Sequence, residues 1–211
     1  MSILSFLRGF LFLGVIFLLA AAKPAAAPTA PAPALAASLC QRCHGASGEG
    51  SPAAAIPRIA GQSAAYLEKQ LEDYVGGSRD NAIMSQFAKR LSAADRAGLA
   101  LYYSSLNPPF LPTAVSDGVS SALARGHLLA HLGDESRRVQ ACDNCHGPDG
   151  NGAPRTAPYL AGQSSQYLAA ALNAWKQRTR KNDDGKLMQS VVDNLDANDI
   201  AAVAAYFSNL E

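Results

Sequence analysis

Two short stretches of this chain carry residues that could do chemistry together: Cys40-Gln41-Arg42-Cys43-His44 and Cys142-Asp143-Asn144-Cys145-His146. They use all four cysteines and two of the four histidines. C-x-x-C-H is the pattern by which c-type haem is attached. Two thiols three positions apart near the start of a helix share one side of the chain, so each can add to a haem vinyl group as a thioether. The residue after the second cysteine then turns its imidazole to the iron. Two copies with no cysteine left over imply two covalent haem c groups, on Cys40 and Cys43 and on Cys142 and Cys145, with His44 and His146 as proximal ligands.

Other uses of the cysteines fit less well. The first cysteines of the two motifs are 102 positions apart, far beyond the spacing of a zinc ribbon. A dithiol redox pair has no need of a histidine after it in both copies, and C-x-x-C loops are poor structural disulfides.

The sixth ligand follows from the methionines. There are three, and Met1 is the initiator. Met84 and Met188 lie 40 and 42 residues beyond His44 and His146. A single methionine is more often core filling, but two at matching positions are better explained as thioether ligands. His/Met ligation favours reduced iron and leaves no open position for a substrate. The sequence therefore predicts two six-coordinate electron-transfer centres.

These residues need elements to position them, and the chain supplies the set twice. After each motif come three matched glycines, Gly45, Gly48 and Gly50 against Gly147, Gly150 and Gly152. Next, Pro57-Arg58-Ile59-Ala60-Gly61-Gln62-Ser63 matches Pro158-Tyr159-Leu160-Ala161-Gly162-Gln163-Ser164, and Tyr102-Tyr103-Ser104-Ser105-Leu106 matches Tyr206-Phe207-Ser208-Asn209-Leu210. Two copies of about 70 residues make two small domains. Ser63 and Ser164 suit N-caps, and Ser92–Asp95 and Asp196–Asp199 resemble capping boxes that open helices to about Leu106 and Leu210. No stretch alternates long enough to argue for a strand, so the expected class is all-α.

Residues 1–22 read as a secretory signal, with Arg8 before an uncharged run from Gly9 to Ala22 and small residues after it. As a helix that run of 14 residues would span about 21 Å, against a hydrocarbon core of about 30 Å. Counted from Ile3 the segment has 20 residues, so a retained anchor and membrane association form the alternative. Residues 23–37 read as an Ala/Pro linker with nothing to pack, 38–109 as the first domain, 110–117 as a Pro-containing linker and 118–211 as the second domain. A helix from about Ser120 to Leu132 leads into the second motif, and the first copy has no counterpart to it. The net charge of +1 and the lack of a basic patch interleaved with aromatics exclude nucleic acid as a partner.

The paired C-x-x-C-H-G motifs, the Pro57–Gln62 segment and its counterpart, the two methionines and the terminal aromatic helices resemble two class I cytochrome c domains in tandem, as in the dihaem cytochrome c4 family, over about residues 38–211. The resemblance implies a pseudo-twofold pair with haem propionates facing each other, and Pro57 and Pro158 as carbonyl acceptors for the haem histidines. It also places Arg58 near propionate charge, where Tyr159 stands in the second copy and puts symmetric pairing in question. Tyr74 and Trp175 would bond propionates or pack on haem. His127 and His131 share a helix face and would suit a metal or a replacement ligand, though such histidines are more often surface residues. The run Arg178–Lys181 reads as a solvated turn able to steer an acidic partner.

The function expected is electron transfer in the periplasm, with no bond of a substrate made or broken. The donor would be a quinol-oxidising complex or a dehydrogenase, and the acceptor a terminal oxidase or reductase. The alternative is the haem subunit of a periplasmic dehydrogenase complex, such as a flavocytochrome sulfide dehydrogenase. Catalysis by the haems themselves is disfavoured by the methionine pair.

Overall fold

A computed structural model describes residues 27–108, 120–152 and 157–210. The 1–22 segment and residues 110–117 of the linker lie outside these. Among the described residues the chain is helical, with two isolated bridges, Ser51 to Ile56 and Asp134 to Val139, in place of any strand. In the first repeat a one-turn helix α1 (Ala32–Leu35) runs through a π-helical turn, Ala36–Cys40, into α2 (Gln41–His44). Then follow α3 (Ala64–Gly76), α4 (Met84–Lys89) and α5 (Ala93–Ser104). The second repeat comprises α6 (Ser120–His131), α7 (Asp143–His146), α8 (Ser165–Lys176), α9 (Leu187–Asp193) and α10 (Ala197–Ser208).

The local signals act where they were expected. Ser63 and Ser164 accept from the backbone N–H of Tyr66 and Tyr167 at 3.1 and 3.2 Å. Capping boxes open α5 at Ser92 and Asp95, and α10 at Asp196 and Asp199. Each satisfies N–H groups that a helix start leaves without a partner. Each repeat then closes over its own core. Leu35, Leu67, Leu91, Leu99 and Tyr103 pack in the first, and Leu129, Leu168, Trp175, Val192, Val203 and Phe207 in the second.

Helix α6 crosses α10 at Gly126, where a Cβ would run into the Ala202 carbonyl and the Tyr206 Cβ. The absence of a side chain there lets the two backbones approach. The first repeat does have a counterpart, contrary to expectation: α1 lies on α5, and a Cβ on Gly98 would sit 3.7 Å from the Ala32 Cβ. Upstream of it, Thr29 donates from N and Oγ1 to the Asp95 carboxylate at 2.7 and 3.1 Å. The stretch expected to be unpacked linker is thus tied down from Thr29 onward. Its alanines and prolines hid this, because Pro31 serves as the cap before a single helical turn.

Candidate haem-binding sites

Each C-x-x-C-H motif ends in a buried histidine. His44 closes α2 and His146 closes α7, both 7% exposed. Cys43 and Cys145 are exposed, Cys40 and Cys142 are half-buried, and none of the four is in a disulfide. Burial pushes the Cys142 thiol up to about 12, which removes it from thiolate chemistry near neutral pH. No group of three or more His, Cys, Asp or Glu converges on a metal-sized site among the described residues.

The glycines after each motif fold the chain back over its histidine. Gly50 N–H bonds the His44 carbonyl at 2.7 Å, and the Gly48 carbonyl accepts from Ile59 and Ala60 at 2.9 and 3.0 Å. In the second copy Gly152 bonds the His146 carbonyl at 2.5 Å, and Gly150 accepts from Leu160 at 2.8 Å. Gly48 and Gly150, at φ +77° and +72°, also lie against rings of the terminal helices: a Cβ would be 2.8 Å from the Tyr103 ring and 2.9 Å from that of Phe207. Only glycine meets both demands.

The fold-back delivers the prolines. Pro57 O lies 2.9 Å from His44 Nδ1, and Pro158 O lies 2.9 Å from His146 Nδ1. A carbonyl only accepts, so Nδ1 carries the proton and Nε2 keeps its lone pair for a metal. Burial lowers the pKa of both histidines, with the proline carbonyls acting the other way, and neutral imidazole is the form that ligates iron. Unpaired cysteines beside a histidine with a free Nε2 fit covalently attached haem.

Met84 opens α4 and Met188 lies one residue inside α9, both half-buried. Asn81 Oδ1 caps α4 through the N–H groups of Ile83 and Met84 at 3.1 and 3.0 Å. Met188 packs against the second core.

The two repeats meet through the segments that hold the histidines. Gln62 Nε2 donates to the Tyr159 carbonyl at 2.8 Å and Gln62 Oε1 accepts from Tyr159 N–H at 2.9 Å. Gln163 does the same to Arg58, with both distances 2.9 Å. Deeper in the interface Arg79 lies 4.8 Å from the Tyr74 ring centroid and donates to Tyr167 Oη at 3.0 Å. Its counterpart Arg180 lies 4.4 Å from the Trp175 ring centroid and reaches Tyr66 Oη at 3.4 Å. Each arginine stacks on its own repeat and bonds the other, so the contacts obey a pseudo-twofold.

Three expectations are revised here. The Arg58/Tyr159 difference leaves the symmetry intact, because the glutamines bond backbone groups that every residue has. The Arg58 guanidinium donates to Pro108 O at 2.8 Å. Arg180 is no solvated steering charge; of that run, Arg178 pairs with Asp193 at 2.6 Å and Lys181 is exposed. His131 joins three helices, with Nδ1 2.6 Å from Asp143 and Nε2 2.7 Å from Tyr206 Oη, and its ring lies 4.4 Å from that of His127.

The cytochrome c family model matches residues 30–107 and again 133–211. Cytochrome c4 of Pseudomonas aeruginosa is 37% identical over 202 residues, 95% of this chain and 95% of the relative. The chain belongs to the dihaem cytochrome c4 family. A thiosulfate dehydrogenase electron acceptor of Thiomonas intermedia is 41% identical over 196 residues, covering 93% of this chain and 87% of that one. A solved thiosulfate dehydrogenase structure from Marichromatium purpuratum superposes with a TM-score of 0.76 at 41% identity, over 82% of this chain and 36% of that longer chain. This c4-type protein is therefore an all-α pair of tandem cytochrome c domains with two covalent haem c groups, an electron carrier and not a catalyst. Its partners are redox proteins. No helix among the described residues is long and apolar enough to cross a membrane.

Proposed function

We propose that this protein is a periplasmic shuttle that takes electrons from a sulfur-oxidising dehydrogenase and passes them to a terminal oxidase or reductase. The observation that carries the donor is the 41% identity to a thiosulfate dehydrogenase electron acceptor across 93% of the chain. The aligned part of the solved dehydrogenase, 36% of that chain, supports the same reading: a module of this kind forms part of a chain so named. A signal at residues 1–22 would export it.

In this reading Cys40, Cys43, Cys142 and Cys145 would carry the thioethers, and His44 with Met84 and His146 with Met188 would ligate the two irons. Bound haem supplies one-electron chemistry at iron. The chain supplies the rest. Pro57 and Pro158 fix imidazole orientation and tautomer through their carbonyls, an outer-shell contact that keeps a ligand aimed. The two methionines close the remaining positions to small molecules. Gln62 and Gln163 hold the Pro57–Gln62 and Pro158–Gln163 segments against one another, so each histidine's carbonyl partner sits one residue from the interface. That continuity suits electrons crossing between sites without the domains parting.

The test mixes the oxidised two-haem protein with catalytic thiosulfate dehydrogenase and thiosulfate, and follows the reduced-minus-oxidised spectrum. Reduction of both haems is expected. Reduction by a quinol-oxidising complex but not by the dehydrogenase would replace the proposed donor.

A further inference from the structure

One histidine outside the ligand set stands a single contact from a C-x-x-C-H motif, in the second repeat alone. His131 ends α6, and its Nδ1 lies 2.6 Å from Oδ2 of Asp143. Asp143 is the residue directly after Cys142, inside the motif that ends in His146. A lone pair on Nδ1 would face a carboxylate oxygen at that distance, so Nδ1 carries hydrogen. Among the described residues Asp143 has no other ion-pair partner, and its Oδ1 is buried without a hydrogen bond.

The other ring nitrogen has two states open to it. Nε2 lies 2.7 Å from Tyr206 Oη, and that hydroxyl donates to Asp149 Oδ1 at 3.2 Å. With the hydroxyl so turned, Nε2 must donate, and the ring is an imidazolium between two carboxylates, Asp149 Oδ1 being 3.4 Å from Nε2. With the hydroxyl turned to Nε2, the ring is neutral. Burial, and after it the Asp149 charge, pushes Tyr206 up to about 12, so the hydroxyl keeps its proton in both states. The His131 side chain is 25% exposed, which lets it exchange protons with water. The remaining neighbour is His127 on α6, its ring 4.4 Å away. Farther along α6, Arg125 is taken up by Asp134 and by Asp199 of α10, at 3.1 and 3.0 Å.

The first repeat has none of this. Gln41 and Ser47 stand where the second has Asp143 and Asp149, and α1 contains no histidine. Gln41 bonds the Ala46 carbonyl at 2.9 Å.

We propose that His131, acting through Asp143, couples a proton to the electron at the second haem, so that this site's potential falls as pH rises while that of the first stays level. A bare carboxylate beside the motif disfavours the added electron, and an imidazolium against it cancels that charge. The electron comes from the redox partner and the proton from solvent; the bond formed is Nε2–H, as the Tyr206 hydroxyl turns to Asp149. Histidine is the side chain that ordinarily changes charge between about pH 5 and 8. The Asp143 charge does reach the ligand: burial lowers the His146 pKa, and the Pro158 carbonyl and Asp143 act the other way. His131 is a positioning residue and not a ligand.

The inference rests on haem at the second motif, which the covalent haem count by denatured mass reads separately, and it needs no particular donor. In the full two-haem protein, redox titrations from about pH 5 to 8 are compared for wild type, His131→Gln and His127→Gln. In wild type one midpoint potential falls with rising pH and the other stays level. His131→Gln flattens the falling one near its high-pH value, and His127→Gln keeps the slope. Linkage works both ways, so the nitrogen NMR titration of His131 has a higher midpoint in reduced than in oxidised protein. Two level potentials in wild type, two that slope alike, or a slope that survives His131→Gln overturns the proposal. A haem count below two in wild type would instead remove the attachment assignment. Should His131→Gln fail to mature, the wild-type slope and the shift of the His131 midpoint decide, and the absence of either contradicts the coupling.

Discussion

Gln62 and Gln163 clasp each other's repeat by the same pair of bonds, each carboxamide closing on the N–H and C=O of one residue across the interface, at 2.8 to 2.9 Å. Both side chains are buried, 6% and 4% exposed. A buried amide that loses its partner leaves the opposing backbone groups unpaired, at about 1–3 kcal/mol each. Gln62→Leu with Gln163→Leu should uncouple the domains, so that one thermal transition becomes two in calorimetry. A single transition in the double variant would show that the arginine contacts suffice.

Arg58→Ala and Tyr159→Ala should leave the clasp in place, because its bonds use backbone atoms. Calorimetry on both variants should keep one cooperative transition. Arg58→Ala should also cost the bond to Pro108 at the exit of the first repeat, and raised protease sensitivity after Leu106 would register it.

How far the sequence reaches is visible in these residues. The cysteines, histidines, prolines and helix caps act within about a dozen positions of one another, so spacing alone exposes them. Gln62 and Gln163 were visible as matched residues, but their partners lie 97 and 105 positions away. The usable signal was that both glutamines match while their opposite numbers, Arg58 and Tyr159, do not. Arg180 misled for the same reason: charge in a turn looks solvated until Trp175 and Tyr66 from two repeats close around it. Thr29 to Leu35 misled through composition, since a proline-capped single turn reads as linker until α5 covers it.

Asp95 should contribute to the acid stability of the first repeat. Its carboxylate is held down to about 2 by the Ser92 hydroxyl, against the effect of burial, with Thr29 adding to the first. A depressed carboxyl stabilises the fold above its unfolded value of 3.8, and the contribution is lost as pH falls through about 2. Ser92→Ala should cost about 1 kcal/mol at neutral pH. Asp95→Asn should destabilise the protein at neutral pH and flatten the fall in stability between pH 4 and 2, as followed by circular dichroism. An unchanged acid limb would assign that fall to other carboxylates.

Gly126→Ala should destabilise the second repeat by about 1–3 kcal/mol, because the added methyl meets the Ala202 carbonyl and Tyr206. Gly98→Ala, whose Cβ would meet the Ala32 Cβ at an ordinary contact distance of 3.7 Å, should be close to neutral. Denaturant midpoints of the two variants check the difference, and equal losses would contradict the unequal helix crossings.

The account rests most directly on Met84 and Met188 as distal ligands, and the near-infrared charge-transfer band of thioether-bound ferric haem reads them. Wild type should show the band and bind carbon monoxide poorly. Met84→Ala and Met188→Ala should each remove about half of it, lower the potential of one haem and open one iron to carbon monoxide, since the thioether that favoured reduced iron is gone. A band that survives in both single variants, or a wild type that binds carbon monoxide readily, would contradict the assignment and return haem-based catalysis to consideration.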